Sequence, residues 1–186
     1  MGQKDTYDEA LIVEQLHHQE TVNAAFGKVI EHYSQPLYWQ IRRMVIDHDD
    51  ANDVLQNTFI KAWSNIGSFR GDAKFSTWLY KIAVNESITF INKKKVQNNI
   101  SLDDDSSFLT SNLEADRYFD GDEAQLKLQK AIATLPDKQR LVFNMRYYDE
   151  MKYEDMSEII GTSVGALKAS YHHAVKKIES FFGEED

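Results

Sequence analysis

Apolar residues recur every three or four positions over most of the chain, a spacing typical of amphipathic helices. Val22, Phe26, Val29 and Ile30 form the first such stripe. Pro36 is expected to break or restart that helix, because proline lacks a backbone N–H and disfavours helix at the preceding residue. A second helix is then predicted through the apolar positions Leu37, Ile41, Met44 and Val45.

Two further helices are predicted before residue 96. One starts near Asp49 or Asp50, whose carboxylates can cap exposed N–H groups, and ends at Gly67. Its apolar stripe contains Leu55, Phe59, Ala62 and Ile66. The other is a long helix from about Phe75 to Lys95. The chain has only two prolines and eight glycines, which also favours an all-α protein.

The composition changes at residue 97. Residues 97–123 are rich in Asp, Asn and Ser and show little apolar periodicity, which predicts a flexible acidic linker with a short helical turn around Phe108 to Leu113. From Ala124 the helical pattern resumes, and Pro136 is expected to start a new helix. The predicted architecture is all-α. It comprises an N-terminal extension (1–19), a first small helical domain (20–96), the linker (97–123) and a second small helical domain (124–186).

The last 34 residues predict a helix-turn-helix. A short helix should end at Gly161, a residue suited to the left-handed conformation of a helix C-cap, and Ser163 can cap the next helix. In such a motif the second helix can enter the DNA major groove. Its predicted buried stripe is Val164, Leu167, Tyr171, Ala174 and Ile178. The outward positions are then Gly165, Ala166, Lys168, Ala169, Ser170, His172, His173 and Lys176.

Charge is unevenly distributed along the chain. The formal net charge is -9, but residues 97–123 alone carry -7, while residues 20–96 carry +2. The extension carries -3 and the second domain -1. The overall acidity therefore argues little against a nucleic-acid partner.

Several other classes of protein receive no support. The absence of cysteine excludes a disulfide framework, a thiolate zinc site and a cysteine nucleophile. No apolar run approaches a membrane span, and the N-terminus lacks a signal-peptide order, so we expect a cytoplasmic protein without membrane insertion. No nucleophile–base pair or phosphate-binding motif is evident, so we expect no enzyme activity and no cofactor.

Metal binding is also not expected. Adjacent helical residues point about 100° apart, so neither His172–His173 nor His17–His18 can chelate one ion, and these are expected to be surface or DNA-facing histidines. A possible calcium loop from Asp103 to Glu114 has Phe108 where the turn needs glycine.

Two motifs carry a family resemblance. The runs "DANDVLQNTFIKAW" and "SFRGDAKFSTWLYKIAVN", followed after the linker by "LPDKQRLVFNMRYYDEMKYEDMSEIIGTSVGALKASYHHAVKKI", resemble bacterial RNA polymerase sigma factors. The two-domain layout without a middle domain is similar to the extracytoplasmic-function (ECF) group. The resemblance covers roughly residues 20–96 and 124–182.

The resemblance implies roles for the first domain. The helix matching "DANDVLQNTFIKAW" would bind the clamp coiled coil of the polymerase largest subunit through Asn52, Asp53, Gln56 and Asn57. The next turn and helix would open the promoter minus-ten element and capture a flipped base. We expect Phe69 to be an exposed aromatic that stacks on a base. The implied minus-ten residues are Phe69, Arg70, Gly71, Asp72, Lys74, Asn85, Lys93, Lys94 and Lys95.

The second domain resembles the reader of the minus-thirty-five element. The implied contacts are Arg146, Gly165, Ala166, Lys168, Ala169, Ser170, His172, His173 and Lys176. The chain departs from the family where Ser170 and His173 replace frequent arginines and Lys152 replaces Ser or Thr. Fewer fixed cations predict weaker phosphate anchoring or a different promoter sequence.

The implied partners are core RNA polymerase (including the flap of its second largest subunit), promoter DNA and an anti-sigma factor. The alternative is a conventional helix-turn-helix regulator that binds duplex DNA without core polymerase. The linker, in the family, runs through the RNA channel of the polymerase.

Overall fold

The computed structural model describes residues 7–98, 113 and 122–183. Within these residues the fold is all-α and contains no strand, as the sequence predicts. The helices with described bounds are α1 (Glu9–Leu16), α2 (Val22–Val45), α3 (His48–Asn65), α4 (Phe75–Gln97), α5 (Glu123–Ala133), α6 (Asp137–Tyr147), α7 (Tyr153–Ile160) and α8 (Val164–Gly183). A 3₁₀ turn, Ile66–Ser68, follows α3.

Helix α2 is continuous through Pro36, so the predicted break there is wrong. Proline removes one intrahelical hydrogen bond and crowds the preceding turn. Tyr33, Leu37 and Ile41 lie on either side of it and are all buried in the core. Because the packing of these side chains requires a helix on both sides of the proline, tertiary contacts override the local preference.

Helices α2, α3 and α4 pack together as the centre of the N-terminal half. The cap of α3 is Asp47, earlier than the predicted Asp49 or Asp50, and its carboxylate accepts from the Asp50 N–H at 2.9 Å. Helix α3 ends at Asn65, before Gly67, because the chain tightens into the 3₁₀ turn. Helix α4 begins at Phe75 as predicted and extends two residues beyond Lys95.

The C-terminal half contains the predicted helix-turn-helix. Gly161 ends α7 in the left-handed region, with φ 72°, and the Ser163 hydroxyl oxygen accepts from the Ala166 N–H at 3.3 Å. Helix α6 follows Pro136 directly, as predicted. In α8, Leu167, Ala174 and Ile178 are buried, while Val164 and Tyr171 are partly buried.

The two halves pack against each other through a common apolar core. Side chains of α6, α7 and α8 join the core that α1–α4 form: Leu141, Val142, Met145, Met156, Ile159 and Leu167. Polar contacts cross the same boundary. Arg43 of α2 forms an ion pair with Asp149, its guanidinium lies 4.8 Å from the Tyr148 ring centroid, and its carbonyl accepts from Asn144 Nδ2 at 3.4 Å.

One residue of the predicted linker is part of this packing. Leu113 is helical and buried, in a small cluster with Ile46 at the end of α2 and Ala133 at the end of α5. Ile46 has a φ of 69°, so the chain turns sharply where this cluster forms. The rest of the predicted helical turn, and residues 99–112 and 114–121 of the linker, lie outside the described residues.

Candidate nucleic-acid and polymerase interface

The exposed face of α3 presents four adjacent polar side chains: Asn52, Asp53, Gln56 and Asn57. The opposite face is buried through Val54, Thr58 and Ala62. The structure therefore places the predicted docking residues together on solvent-exposed surface, between about one and three helical turns beyond the Asp47 cap.

A short hydrogen-bond chain orients Asn52. Its Nδ2 donates to the His48 carbonyl at 3.1 Å and lies 3.1 Å from His48 Nε2. The His48 Nδ1 is 2.7 Å from the Tyr38 hydroxyl. Because Asn52 Nδ2 can only donate, His48 Nε2 is the acceptor. The ring hydrogen of His48 is then on Nδ1, which donates to the Tyr38 hydroxyl oxygen. The sequence pattern gave no sign that His48 orients this face.

The loop between α3 and α4 has a buried base and an exposed tip. The side chain of Phe69 is only 5% exposed, and its ring lies 5.3 Å from the rings of both Phe75 and Trp78. The expectation of an exposed Phe69 is therefore wrong, because the aromatic residues at the start of α4 provide an apolar site for its ring. Arg70, Gly71 and Asp72 are exposed, and Gly71 adopts a φ of 78°.

The backbone of Phe69 is also held in place. His17, the residue after α1, places Nε2 3.1 Å from the Phe69 carbonyl oxygen and Nδ1 2.7 Å from the Val13 carbonyl oxygen. The sequence pattern predicted only a surface histidine at this position. No signal in one sequence links positions 17 and 69, which are 52 residues apart.

The remaining predicted minus-ten residues lie along α4, except Lys74, which directly precedes it. Asn85 is exposed, and at 1.5 Å per residue it lies about 15 Å along the axis from Phe75. Lys93, Lys94 and Lys95 occupy the last turns of the helix. They are thus spread along one long helix rather than gathered into a pocket.

Three of the predicted minus-ten lysines pair with carboxylates. Lys94 pairs with Asp50 of α3. Lys95 Nζ lies 2.8 Å from Asp137, and Lys74 Nζ lies 3.3 Å from Asp155. Asp137 and Asp155 both belong to the C-terminal half. Although burial acts to raise the pKa of Asp137, Lys95 and Arg140 together lower that pKa below its usual value.

A tyrosine brings two predicted minus-thirty-five cations together. The Arg146 guanidinium lies 5.2 Å from the Tyr153 ring centroid, and Lys168 Nζ lies 5.7 Å from the same centroid. Arg146 Nη1 also donates to the Met151 carbonyl at 3.2 Å. Tyr153, which the sequence pattern did not single out, therefore connects α6 to the start of α8 through cation–π contacts.

The outward face of α8 matches the prediction almost completely. Seven of the eight predicted positions are exposed, and Ser170 is partly exposed: Gly165, Ala166, Lys168, Ala169, Ser170, His172, His173 and Lys176. The first turn carries only small side chains on this face, so the backbone can approach another molecule closely. Among the described residues no cluster of His, Asp or Glu could hold a metal ion.

No helix within residues 7–98 and 122–183 is both long and apolar enough to cross a membrane. The described acidic side chains lie largely on exposed helix faces or in the ion pairs above.

Comparison with known proteins defines the class. Residues 29–96 match the family described as Sigma-70 region 2, and residues 125–178 match the family described as Sigma-70, region 4. The ECF RNA polymerase sigma factor SigW of Bacillus subtilis is 34% identical over 156 residues, covering 80% of this chain and 83% of SigW. The chain belongs to the ECF sigma factors of bacterial RNA polymerase.

Further relatives extend over nearly the whole chain. RNA polymerase sigma factor SigV of Bacillus subtilis is 28% identical, covering 90% of this chain and 97% of SigV. A solved structure of CnrH in complex with the cytosolic domain of CnrY shares the fold, with a TM-score of 0.70, 18% identity and coverage of 96% of this chain and 99% of that chain. The sigma factor RpoE of Bartonella quintana, solved with the anti-sigma factor NepR, has a TM-score of 0.65 and 20% identity, and covers 85% of this chain and 96% of that chain.

Proposed function

We propose that this chain acts in the cytoplasm as a non-catalytic specificity subunit that binds core RNA polymerase and directs it to a defined set of promoters. The observation that carries the proposal is the presence, on one chain, of an exposed polar face on α3, an anchored loop before α4 and an exposed helix-turn-helix.

The α3 face is the proposed contact with the clamp coiled coil of the polymerase largest subunit. Asn52, Asp53, Gln56 and Asn57 are exposed and adjacent there. The Tyr38–His48 chain holds Asn52 in one orientation, which reduces the conformational entropy that binding would cost. The flap of the second largest subunit is proposed to contact the C-terminal half.

The loop 69–74 and the outer surface of α4 are the proposed minus-ten reader. With its ring buried, Phe69 cannot stack on a base without leaving the aromatic cluster, so we assign it the role of anchoring the loop. The exposed Arg70, Gly71 and Asp72 then make the proposed contacts with the opened strand, and Asn85 offers an amide that can hydrogen-bond a base edge. Lys93, Lys94, Lys95 and Lys74 supply charge for phosphates.

The start of α8 is the proposed minus-thirty-five reader. Gly165, Ala166 and Ala169 allow the helix to lie deep in the major groove, where Ser170, His172 and His173 can reach base edges. Arg146, Lys168 and Lys176 are the proposed phosphate contacts. Because Ser170 and His173 are not arginines, we expect a promoter sequence that differs from those of arginine-rich relatives.

An anti-sigma factor is the proposed regulator. The fold neighbours CnrH and RpoE were solved with CnrY and with the anti-sigma factor NepR. A partner of this kind would hold the chain away from polymerase by covering the α3 face or the DNA-binding surfaces.

Transcription in vitro with purified core polymerase tests the proposal. Promoters are first selected from a random-sequence library by the reconstituted holoenzyme, and transcript starts are then mapped with and without the chain. We expect starts that require both the chain and core polymerase. Folded chain that binds its selected duplex equally well without core polymerase, and supports no start with it, would instead identify a conventional helix-turn-helix regulator.

A further inference from the structure

The N-terminal helix α1 is firmly attached to the core of the first domain. Ile12 and Leu16 are buried, and the Glu9 carboxylate accepts from the Tyr33 hydroxyl at 2.8 Å. His17 directly follows α1, so its backbone is held in a fixed position on the surface of the N-terminal half.

The His17 imidazole bridges two backbone carbonyl groups. One, Val13, belongs to α1 itself at 2.7 Å, and the other, Phe69, belongs to the base of the loop at 3.1 Å. A carbonyl oxygen only accepts hydrogen bonds, so both bonds form together when both ring nitrogens carry hydrogen, which is the imidazolium form. The bond to Val13 fixes the ring, and the bond to Phe69 fixes the loop.

The loop is thus held at Phe69 from two directions. The ring of Phe69 packs against those of Phe75 and Trp78, and its carbonyl group accepts a hydrogen bond from His17, the residue after α1. The exposed tip begins at the next residue and turns at Gly71 with a φ of 78°. A fixed carbonyl determines the plane of the peptide that leads into Arg70, and therefore the direction in which the tip projects.

We propose that His17 is a positioning residue for promoter opening, which ties the minus-ten loop to the N-terminal helix. This inference rests on the proposed function, because it assigns the loop tip to the opened minus-ten strand. It assigns a functional role to α1 and His17, which lie outside residues 29–96, the range that matches Sigma-70 region 2.

Two conservative variants separate the two hydrogen bonds. The amide nitrogen of glutamine lies close to the position of histidine Nε2, so His17→Gln can still donate to Phe69. The amide nitrogen of asparagine lies close to the position of Nδ1, so His17→Asn can donate to Val13 but does not reach Phe69. His18→Ala, at the neighbouring exposed histidine, is the matched control.

The measurements use holoenzyme reconstituted from core polymerase and the full chain. Affinity for a fluorescent single-stranded minus-ten oligonucleotide and the extent of permanganate-reactive promoter opening are measured for each variant. Losing one hydrogen bond of typical net strength should lower the oligonucleotide affinity of His17→Asn about five-fold. His17→Gln and His18→Ala should stay close to wild type, and all variants should bind core polymerase equally.

Amide hydrogen exchange of the free chain provides an independent readout. His17→Asn should speed exchange at residues 70–73 while leaving α3 unchanged, and His17→Gln should restore the protection. Equal behaviour of the Gln and Asn variants in both assays would overturn the inference, as would an equal loss of core binding. If wild-type chain supports no promoter-specific start, the proposed function fails, while the exchange rates still show whether the tether exists.

Discussion

The phenyl ring of Phe69 contributes to the protein through packing. It belongs to an aromatic cluster with Phe75 and Trp78, and Phe75 in turn lies 6.4 Å from Tyr33 of α2. Edge-on and tilted ring contacts of this kind add to the free energy of burial. The cluster therefore attaches the base of the loop to the start of α4.

Phe69→Ala should therefore be a stability variant. Removing a buried phenyl ring is expected to lower the free energy of unfolding by about 3 kcal/mol, measured by urea denaturation followed by circular dichroism. Arg70→Ala, at the exposed neighbour, should leave that free energy within about 0.5 kcal/mol of wild type while weakening promoter opening. A Phe69→Ala chain as stable as wild type would contradict the packing role.

Asp53 is the residue on α3 whose charge is easiest to test. Asp53→Arg places a cation at the centre of the proposed docking face and should weaken binding to core polymerase by about ten-fold or more, measured by competition against labelled wild-type chain. Glu31→Arg makes the same charge reversal on the exposed surface of α2 and should have little effect. Equal losses for both variants would point to net charge rather than to a docking surface.

At the scale of elements, the turn of the helix-turn-helix depends on one backbone conformation. Gly161 has a φ of 72°, and a Cβ added at this position would meet no atom within 4 Å apart from its own residue and its two chain neighbours. Any cost of a side chain there is thus due to the left-handed backbone and not to a steric clash with neighbours.

Gly161→Ala should lower the free energy of unfolding by about 1 kcal/mol, and Gly165→Ala should not. A Cβ at Gly165 would also meet nothing within 4 Å, but this residue lies in helix α8, where alanine is the better helix former. Denaturation of the two variants side by side isolates the backbone effect. A Gly161→Ala chain as stable as wild type would show that the turn does not require the left-handed conformation.

Local patterns predicted most of the helices and the outward face of α8. The helix-turn-helix was predictable because a capping glycine, a capping serine and an apolar stripe all agree at residues 161–178. The continuity of α2 was not, because Pro36 gives a strong local signal while the packing of Tyr33 and Leu37 is a tertiary effect. The buried Phe69 was missed for a similar reason, since its neighbours in the cluster are recognisable only once α4 is folded.

The site residues also divide into those that local sequence patterns predict and those that depend on tertiary contacts. Sequence periodicity identified the exposed positions of α3 and α8, but it gave no indication of His17, His48 or Tyr153 as residues that orient others. Each of these residues acts through a contact with another helix or with a loop. A single sequence carries no information about such long-range contacts.

At the scale of the whole molecule, the halves meet at a partly buried ion pair between Arg43 and Asp149. Burial raises the pKa of Asp149 from 3.8 to about 6, even though the Arg43 guanidinium acts to lower it. The carboxyl group of Asp149 therefore binds a proton more tightly in the folded protein than in the unfolded chain. This contribution to stability is fully present below about pH 3.8 and is lost as the pH rises through about 6.

The stability of the folded chain should consequently depend on pH in part through this carboxyl group. As the pH rises, the wild-type free energy of unfolding should fall relative to that of Asp149→Asn. The expected fall is about 1.4 kcal/mol for each pH unit between the unfolded pKa of 3.8 and the folded pKa of about 6. The asparagine variant keeps a hydrogen-bonding partner for Arg43 but does not titrate. Urea denaturation of both chains across this pH range provides the comparison, and parallel pH profiles would contradict the assignment.

For the proposed minus-ten surface, the contacts of Lys74 with Asp155 and of Lys95 with Asp137 have a thermodynamic consequence. A lysine that leaves solvent to meet a phosphate allows the DNA to release a condensed cation, and that release makes binding steeply dependent on salt. In the folded chain these two lysines already have carboxylate neighbours, so the proposed promoter contacts would exchange one anion for another at each position. Asp155 would then attract a cation from solution, while Asp137 keeps the Arg140 guanidinium as a partner. The net number of ions released to solution would be smaller than the number of lysines that meet phosphates. We therefore expect promoter binding by the chain to be less sensitive to ionic strength than the number of cations on its proposed DNA-binding surfaces implies.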